Sequence, residues 1–369
     1  MPAFSREIMI TRGSGCTVTD ADGKQYLDLV AGIAVCSTGH CHPKVVRAIS
    51  NQAESLIHCS NLYYVPHQGE LAKKLVEISG FPGKAKAFFS NSGAEAMEAA
   101  LKLARVRTGK KEVVACEGGF HGRTMGSLAC THKPAIRDPF MPLQPFSKFV
   151  PFGDIEAIRA AITSDTAAVV LEPVQGEGGV ITPPVGYLKK VREVCDQNDV
   201  LLILDEIQTG MGRTGTWFAY QQEGVIPDIV TIAKGIASGF PMGAIVAREG
   251  LEFGKSEHGS TFAGGPVACA AALATIEVIE ECLPDVKGKG ERFRAALADL
   301  QPRVNGLMIG ISIGDNCGFI QKECAAQGLL INCAANGNLR LVPPLTITNA
   351  EIDQATEIIN ATVRKFANS

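Results

Sequence analysis

Lys234 follows the apolar run Ile229-Val230-Thr231-Ile232-Ala233 and precedes Gly235. An ammonium at the end of a buried strand is disfavoured by desolvation, which lowers its pKa and leaves an amine able to condense with an aldehyde. Asp205 stands in the same way at the end of Val200-Leu201-Leu202-Ile203-Leu204, and a carboxylate at the mouth of a buried strand needs a cationic partner. In Ser92-Gly93-Ala94-Glu95 the first and last residues have capping-box spacing, and the free N–H groups of such a helix start can bind phosphate. The loop Gly118-Gly119-Phe120-His121-Gly122-Arg123 could lay the Phe120 ring on a flat ligand and present Arg123 to a carboxylate. Each feature alone has an ordinary reading: a solvated lysine, a well-capped helix, a core phenylalanine beside an exposed arginine. Ligands of a parallel sheet bind beyond the carboxyl ends of its strands, which is where Ser92, Asp205 and Lys234 all fall. An anion cradle, a carboxylate for a pyridinium nitrogen and a lysine for an aldehyde are what pyridoxal phosphate (PLP) requires.

Three other motifs invite chemistry and lack its context. Asp205-Glu206 after an apolar strand could hold magnesium in a nucleotide hydrolase, but Gly254-Lys255-Ser256 comes after that strand, and Glu249 stands where a phosphate loop needs glycine. Gly210-Met211-Gly212-Arg213-Thr214-Gly215 has the letters of a dinucleotide fingerprint, yet Asp205 to Thr209 separate it from its strand, so a plain glycine loop is expected. His40-Cys41-His42 and His58-Cys59 are adjacent residues that point in different directions, with no spaced ligand pair; no metal site is expected.

The elements that must position these residues follow from periodicity. Ala85 to Phe89 is a short apolar strand, and Ser92 to Arg107 carries Met97, Ala100, Leu101 and Ala104 at helical spacing before Gly109 stops it. Short runs at 112–116, 167–171, 200–204 and 229–233 are apolar throughout, as strands buried on both faces of a parallel sheet are. The fold class is therefore α/β, with a large, mostly parallel sheet. After Gly259 an alanine-rich helical stretch runs to about Cys282, and Pro284 to Gly290 resembles a boundary before a smaller mixed region.

Composition narrows the classes of partner. The 369 residues exceed a single core of ~250 to 300 residues, so two domains are expected. With 35 basic and 38 acidic residues the net charge is -3, which lacks the basic footprint of a nucleic-acid binder. The longest apolar run, Val267 to Ala274, has eight residues against roughly 20 for a membrane span. Arg6 and Glu7 interrupt the start before a hydrophobic stretch develops, so no secretory signal is expected. Twelve cysteines without a C-x-x-C pair read as reduced thiols of a cytoplasmic protein.

With these residues in place the chain resembles the class III, fold-type-I aminotransferases that use PLP. The likeness rests on Tyr26-Leu27-Asp28, Gly39-His40, Ile57-His58-Cys59-Ser60-Asn61-Leu62, Phe120-His121-Gly122-Arg123-Thr124, Leu204-Asp205-Glu206-Ile207-Gln208, Ala233-Lys234-Gly235 and Leu341-Val342-Pro343-Pro344-Leu345-Thr346. The resemblance implies that Lys234 holds the cofactor, Asp205 pairs with its ring nitrogen, Gln208 meets its ring hydroxyl and Phe120 stacks on it. Ser92, Gly93 and Ala94 would hold phosphate. Thr261 would reach the phosphate of a neighbouring subunit, making a homodimer with shared active sites. Arg123, Ser260 and Arg340 would touch a small-molecule amino donor or 2-oxoglutarate, and Glu177, in Gln175-Gly176-Glu177-Gly178-Gly179, matches the residue that covers the second arginine. The implied division is residues 1–49 as a segment packing with the small domain, 50–284 as the large cofactor-binding domain with its linking helix, and 285–369 as the small domain.

Two departures from the family pattern are Met97, where relatives often carry asparagine, and Arg303-Val304-Asn305-Gly306, which lacks the usual arginine-glycine pair. Ornithine aminotransferases place a tyrosine at the position of Ile33 to recognise a free α-amino group. Isoleucine cannot form that bond, so an ω-amine donor with an acylated α-nitrogen is expected. The competing readings are a class III enzyme for another terminal amine, and a non-catalytic protein that holds metal through thiols and histidines.

Overall fold

The computed structural model describes residues 7–143 and 147–367. Arg6, on which the expectation of no secretory leader partly rests, lies outside them. Strands β1 (Ile10–Ser14), β2 (Thr17–Asp20) and β3 (Gln25–Asp28) form an antiparallel meander near the N-terminus. The central sheet contains β4 (Lys86–Ser90), β5 (Glu112–Cys116), β6 (Ser147–Val150), β7 (Thr166–Leu171), β8 (Leu201–Asp205), β9 (Ile229–Ile232) and β10 (Gly243–Ala247), in the order β4-β10-β9-β8-β7-β5-β6. Towards the C-terminus, β11 (Arg303–Asn305), β12 (Met308–Ser312), β14 (Asn332–Ala334) and β15 (Asn338–Leu341) make an antiparallel sheet, while β13 (Leu329–Leu330) joins the N-terminal meander parallel to β3.

Every residue of β7, β8, β9 and β10 is buried because helices cover both faces of the sheet. Ala96, Ala100 and Leu103 of helix Gly93–Thr108 pack with Val113, Ile203 and Ile245 on one face. Val191 and Val194 of helix Tyr187–Gln197, with Cys269 and Ile276 of helix Pro266–Cys282, pack with Val169, Leu202 and Val230 on the other. Each such Leu, Ile or Val side chain contributes about 1.5–3 kcal/mol on burial. That rigid slab fixes where its strand ends point.

The strands expected at 112–116, 167–171, 200–204 and 229–233 are present within a residue of those bounds. β6 and β10 were not expected. β10 runs antiparallel to both neighbours, because no crossover helix lies between Ile232 and Gly243 to return the chain to a parallel start.

Helix Pro43–Ser55 packs on helix Pro266–Cys282, and residue 49 lies inside it. Residue 284 lies in the short turn Leu283–Asp285 that leads into helix Val286–Ala296. One expectation is corrected: the cysteines are not all reduced, since Cys317 and Cys333 form a disulfide with Cα atoms 5.8 Å apart, while ten others are free thiols. The partners are 16 residues apart and meet because the chain turns back from helix Cys317–Ala326 through β13 into β14. Among the described residues no helix is long and apolar enough to cross a membrane.

Candidate active site

The carboxyl ends of β4, β5, β7, β8 and β9 open onto a cavity of 410 Å³, whose walls include Ser92, Gly93, Ala94, Phe120, Arg123, Glu177, Asp205, Gln208 and Lys234. Nine of the twelve candidate residues are thus brought to one place. At the end of β4, Ser92 caps helix Gly93–Thr108, its Oγ accepting from the Glu95 N–H at 3.2 Å. The Glu95 carboxylate reaches past Ser92 to accept from the Asn91 N–H at 2.6 Å and Asn91 Nδ2 at 2.9 Å. Gly93 and Ala94 line the cavity and open the helix, where first-turn N–H groups have no intrahelical partner. A Cβ on Gly243 would lie 2.5 Å from the Ser92 carbonyl oxygen, so only glycine lets β10 pass this turn.

Asp205 ends β8, and its partner is a histidine. Oδ2 lies 2.7 Å from His121 Nδ1, while Oδ1 accepts from the Ile207 N–H at 3.0 Å and Thr231 Oγ1 at 3.2 Å. Burial works to lower the His121 pKa, and the Asp205 carboxylate overrides it, holding the imidazole above its ordinary value. Glu206 turns the other way, accepting from the Tyr220 N–H at 3.0 Å and from Thr209 Oγ1. Asp205 and Glu206 therefore do not converge on one ligand.

Lys234 follows β9 with φ 48°, a left-handed conformation that costs a non-glycine residue roughly 1–2 kcal/mol. Burial first, and then the nearby Arg340 guanidinium, lower its amine to about 8. Arg340, on β15, is fully buried and does not line the cavity. Its Nη1 donates to Glu177 Oε1 at 2.6 Å and Gln208 Oε1 at 3.2 Å, and its Nε to Asn332 Oδ1 at 3.1 Å. Burial opposes the charge on Glu177, yet Arg340 prevails and holds that carboxyl below its ordinary range.

Phe120 hangs from a loop fixed by Glu172, whose Oε1 accepts from the Phe120 N–H at 3.0 Å and whose Oε2 accepts from the Gly176 N–H at 3.0 Å. Burial pushes the Glu172 carboxyl up to about 7. Arg123 is exposed at the rim, its guanidinium carbon 5.9 Å from the centre of the Phe120 ring.

Ser260 and Thr261 stand outside the cavity wall. Ser260 Oγ accepts from Asn91 Nδ2 at 3.1 Å, next to the phosphate-type turn, whereas Thr261 is exposed. Ile33 does not line the cavity either; Val35 does. His40 Nε2 lies 2.8 Å from Asp28 Oδ2, and the glycine loop at 210–215 serves as a brace. Its fully buried Arg213 donates to the carbonyls of Leu307, at 3.1 Å, and Pro343.

His121, Glu172, Asn91 and Asn332 were missed by sequence reasoning. Glu172 had a signal: it directly follows the buried strand β7, in the way Asp205 ends β8 and Lys234 follows β9.

The model of the family described as Aminotransferase class-III matches residues 2–363. The chain belongs to this family. An acetylornithine aminotransferase of Methanosarcina mazei is 53% identical over 97% of this chain and 93% of its own. Among solved structures, the ornithine aminotransferase of Toxoplasma gondii, described as having partial occupancy of PLP at its active site, superposes with TM-score 0.94 at 30% identity, covering 100% of this chain and 92% of that one. The N-acetylornithine aminotransferase of Stenotrophomonas maltophilia K279a gives 0.85 at 36% identity over 99% and 98%. This aminotransferase is therefore an enzyme of amino-group transfer, and its candidate site is the cavity at the strand ends.

Proposed function

We propose that this aminotransferase moves the terminal amino group of N2-acetylornithine to 2-oxoglutarate with pyridoxal 5'-phosphate as cofactor, giving N-acetylglutamate 5-semialdehyde and glutamate. The observation that carries the reading is the Glu177–Arg340 pair at 2.6 Å beside Lys234. A donor that reacts at its ω-amine brings no carboxylate to the inner arginine, and a covered arginine suits it. Two of the three relatives above, from Methanosarcina mazei and Stenotrophomonas maltophilia, are named for acetylornithine, and the third for ornithine.

The residues fit the cofactor. Gly93 and Ala94 offer helix-start N–H groups to a phosphate, Phe120 a ring to stack upon, Asp205 a carboxylate, and Lys234 an amine with a lowered pKa. When bound, PLP supplies an aldehyde that takes up the amino group and a pyridine ring that accepts electrons as a C–H bond is broken. Asp205, oriented by His121, Thr231 and the Ile207 N–H, would supply the carboxylate that keeps a proton on the ring nitrogen. Gln208 spends its oxygen on Arg340 and retains its amide N–H groups for the ring hydroxyl. Lys234 Nζ would take the proton from the substrate carbon that bears the transferred nitrogen and return it on the other side of that nitrogen, so that the C–N bond to the substrate can be released. Arg123 holds the distal carboxylate of either substrate, and Arg340 takes the proximal carboxylate of glutamate or 2-oxoglutarate once Glu177 withdraws. In this reading residues 50–284 and 285–369 act as the large and small domains, with 1–49 joined to the latter, in a cytoplasmic enzyme.

A panel of amino donors with 2-oxoglutarate tests the substrate. N2-acetylornithine is expected to exceed ornithine and 4-aminobutyrate in kcat/KM by about tenfold or more. A preference for either of those two would move the enzyme to another subgroup.

The same proposal includes a homodimer. Leu62, Tyr63, Tyr64 and Phe262 are exposed around Thr261, with the Phe262 ring tilted against that of His58, centroids 5.0 Å apart, and Asn61 Nδ2 donating to the carbonyls of Ser260 and Ala263 at 3.0 and 2.9 Å. Large exposed apolar side chains in one region favour a protein partner, and a second copy would bring Thr261 to the neighbouring phosphate turn. Mixing Lys234→Ala with Thr261→Ala protein under subunit exchange is expected to raise activity above the mean of the unmixed samples, because one of the two sites in a mixed dimer is intact. No gain after exchange confirmed by mass spectrometry would assign a complete site to each chain.

A further inference from the structure

The loop that carries Glu177 is held from two sides. On its N-terminal side the ties lead to the central sheet: Glu172, at the end of β7, accepts from the Gly176 N–H at 3.0 Å, and Gln175 Nε2 donates to the Glu117 carbonyl at 2.7 Å. On its C-terminal side they lead to the C-terminal sheet. Arg303, on β11, donates from Nη2 to the Gly179 carbonyl at 2.8 Å and from Nε to the Val180 carbonyl at 3.2 Å. The same guanidinium is oriented by Asn338 Oδ1, through Nη2, and by Ser312 Oγ at 2.8 Å from Nη1. A backbone bond from the Ala335 N–H to the Glu177 carbonyl, 3.2 Å, adds to that side.

Glu177 thus sits where the two sets of ties meet. Backbone bonds between Gln175 and Ile181, 3.0 Å each way, close the loop at its base, and the Gly179 N–H donates to the Gly176 carbonyl at 3.2 Å, so Glu177 stands at the tip of a turn whose backbone is tied on both sides. A side chain at Gly179 would collide with Asn338, its Cβ 2.6 Å from Nδ2, so this flank lies directly on the clamp. We infer that Arg303 is a positioning residue for amino transfer: by anchoring Gly179 and Val180 to the C-terminal sheet it sets the balance between Glu177 on Arg340 and Glu177 withdrawn. This rests on reading Glu177 as the cover of Arg340, and it adds which residue fixes how firmly the cover closes.

Cutting the clamp should have opposite-signed effects on two ligands. With the clamp cut, Glu177 holds Arg340 less firmly, so a dicarboxylate competes more easily for the guanidinium, and the ω-amine substrate loses the closed arrangement it uses. Arg303→Ala holoenzyme is expected to bind glutarate, a non-reactive dicarboxylate, about two- to tenfold more tightly by calorimetry, the range of one net hydrogen bond. In single-turnover kinetics its half-reaction with N2-acetylornithine should slow by a similar roughly two- to tenfold factor while the glutamate half-reaction holds or improves. Glu177→Ala should shift both ligands the same way and further, and adding Arg303→Ala to it should change neither ratio.

Damage to packing would weaken glutarate binding and slow both half-reactions alike, and that result overturns the role of Arg303. If Glu177→Ala leaves both ratios at wild-type values, the cover reading fails; if Glu177→Ala shifts them and Arg303→Ala does not, the positioning inference alone fails. Should Arg303→Ala not fold, Arg303→Lys keeps the charge but cannot span both carbonyls. It is scored by the same two ratios with the same signs.

Discussion

Lys234→Ala enzyme is expected to lose turnover by about 10²- to 10⁴-fold, the range in which a positioned acid–base group contributes. Steady-state assays at saturating PLP, with cofactor content measured by absorbance, check this, and retention of more than a few per cent of wild-type rate would remove Lys234 from the chemistry. The structure makes the variant a clean one. Among the described residues no hydrogen bond or ion pair is made by Lys234 Nζ, so alanine leaves no orphaned partner. Both residues carry a Cβ at φ 48°, so the left-handed strain is unchanged, whereas Lys234→Gly would relieve it and confuse stability with catalysis. Measured without PLP, the thermal midpoint of Lys234→Ala should therefore match or exceed that of the wild type. In the proposed reaction the lysine serves as the base: burial and Arg340 lower its amine to about 8, so a sizeable fraction is neutral and able to take a proton near pH 8.

The parts of this site that were legible in the sequence share one grammar. Asp205, Lys234 and Ser92 each stand at or just beyond the end of an apolar run, and five-residue runs such as Leu201–Asp205 can only be buried strands once helices flank them. Direction was legible because parallel strands end on one edge. The partners of these residues were not legible. His121 faces Asp205 from 84 positions away, and nothing local to Phe120-His121-Gly122 tells which way its ring turns. The capping-box spacing identified the helix start, but Glu95 bonds Asn91 rather than Ser92, a choice made by the strand that feeds the turn. Arg303 stood in a segment set apart only by the glycine missing after it. Its value depends on Gly179 and Val180, 124 and 123 residues away. Pairing Cys317 with Cys333 likewise depends on the return path through β13, whereas the alternation of strands and helices needs no such path. The strand β10 was lost for a related reason: Gly243–Ala247 is short, and its antiparallel direction comes from the missing crossover helix.

Asp205→Asn is expected to keep the fold and the cofactor while kcat falls by roughly 10²- to 10³-fold, the loss typical when a preorganised electrostatic group is neutralised. The substitution preserves shape. The amide oxygen can take the place of Oδ1, accepting from the Ile207 N–H and Thr231 Oγ1, which leaves the amide N–H₂ facing His121 Nδ1. In the wild type the Asp205 carboxylate is what raises the His121 pKa against burial. Without it the lowering effect of burial is opposed only by the Glu172 charge, and an imidazole with a bare Nδ1 can accept from the new amide. The network therefore repairs its hydrogen bond, and the stability cost should stay near 1 kcal/mol. The charge is not repaired, since the amide carries none and nothing remains to hold a proton on a pyridine nitrogen. Single-turnover rates at saturating PLP should fall for the ω-amine and glutamate half-reactions alike, because both need the same ring, unlike the unequal shifts expected from Arg303→Ala. Unchanged rates in cofactor-replete Asp205→Asn enzyme would show that the carboxylate serves only to place His121. A drop confined to cofactor content, with normal turnover per bound PLP, would assign Asp205 to binding alone.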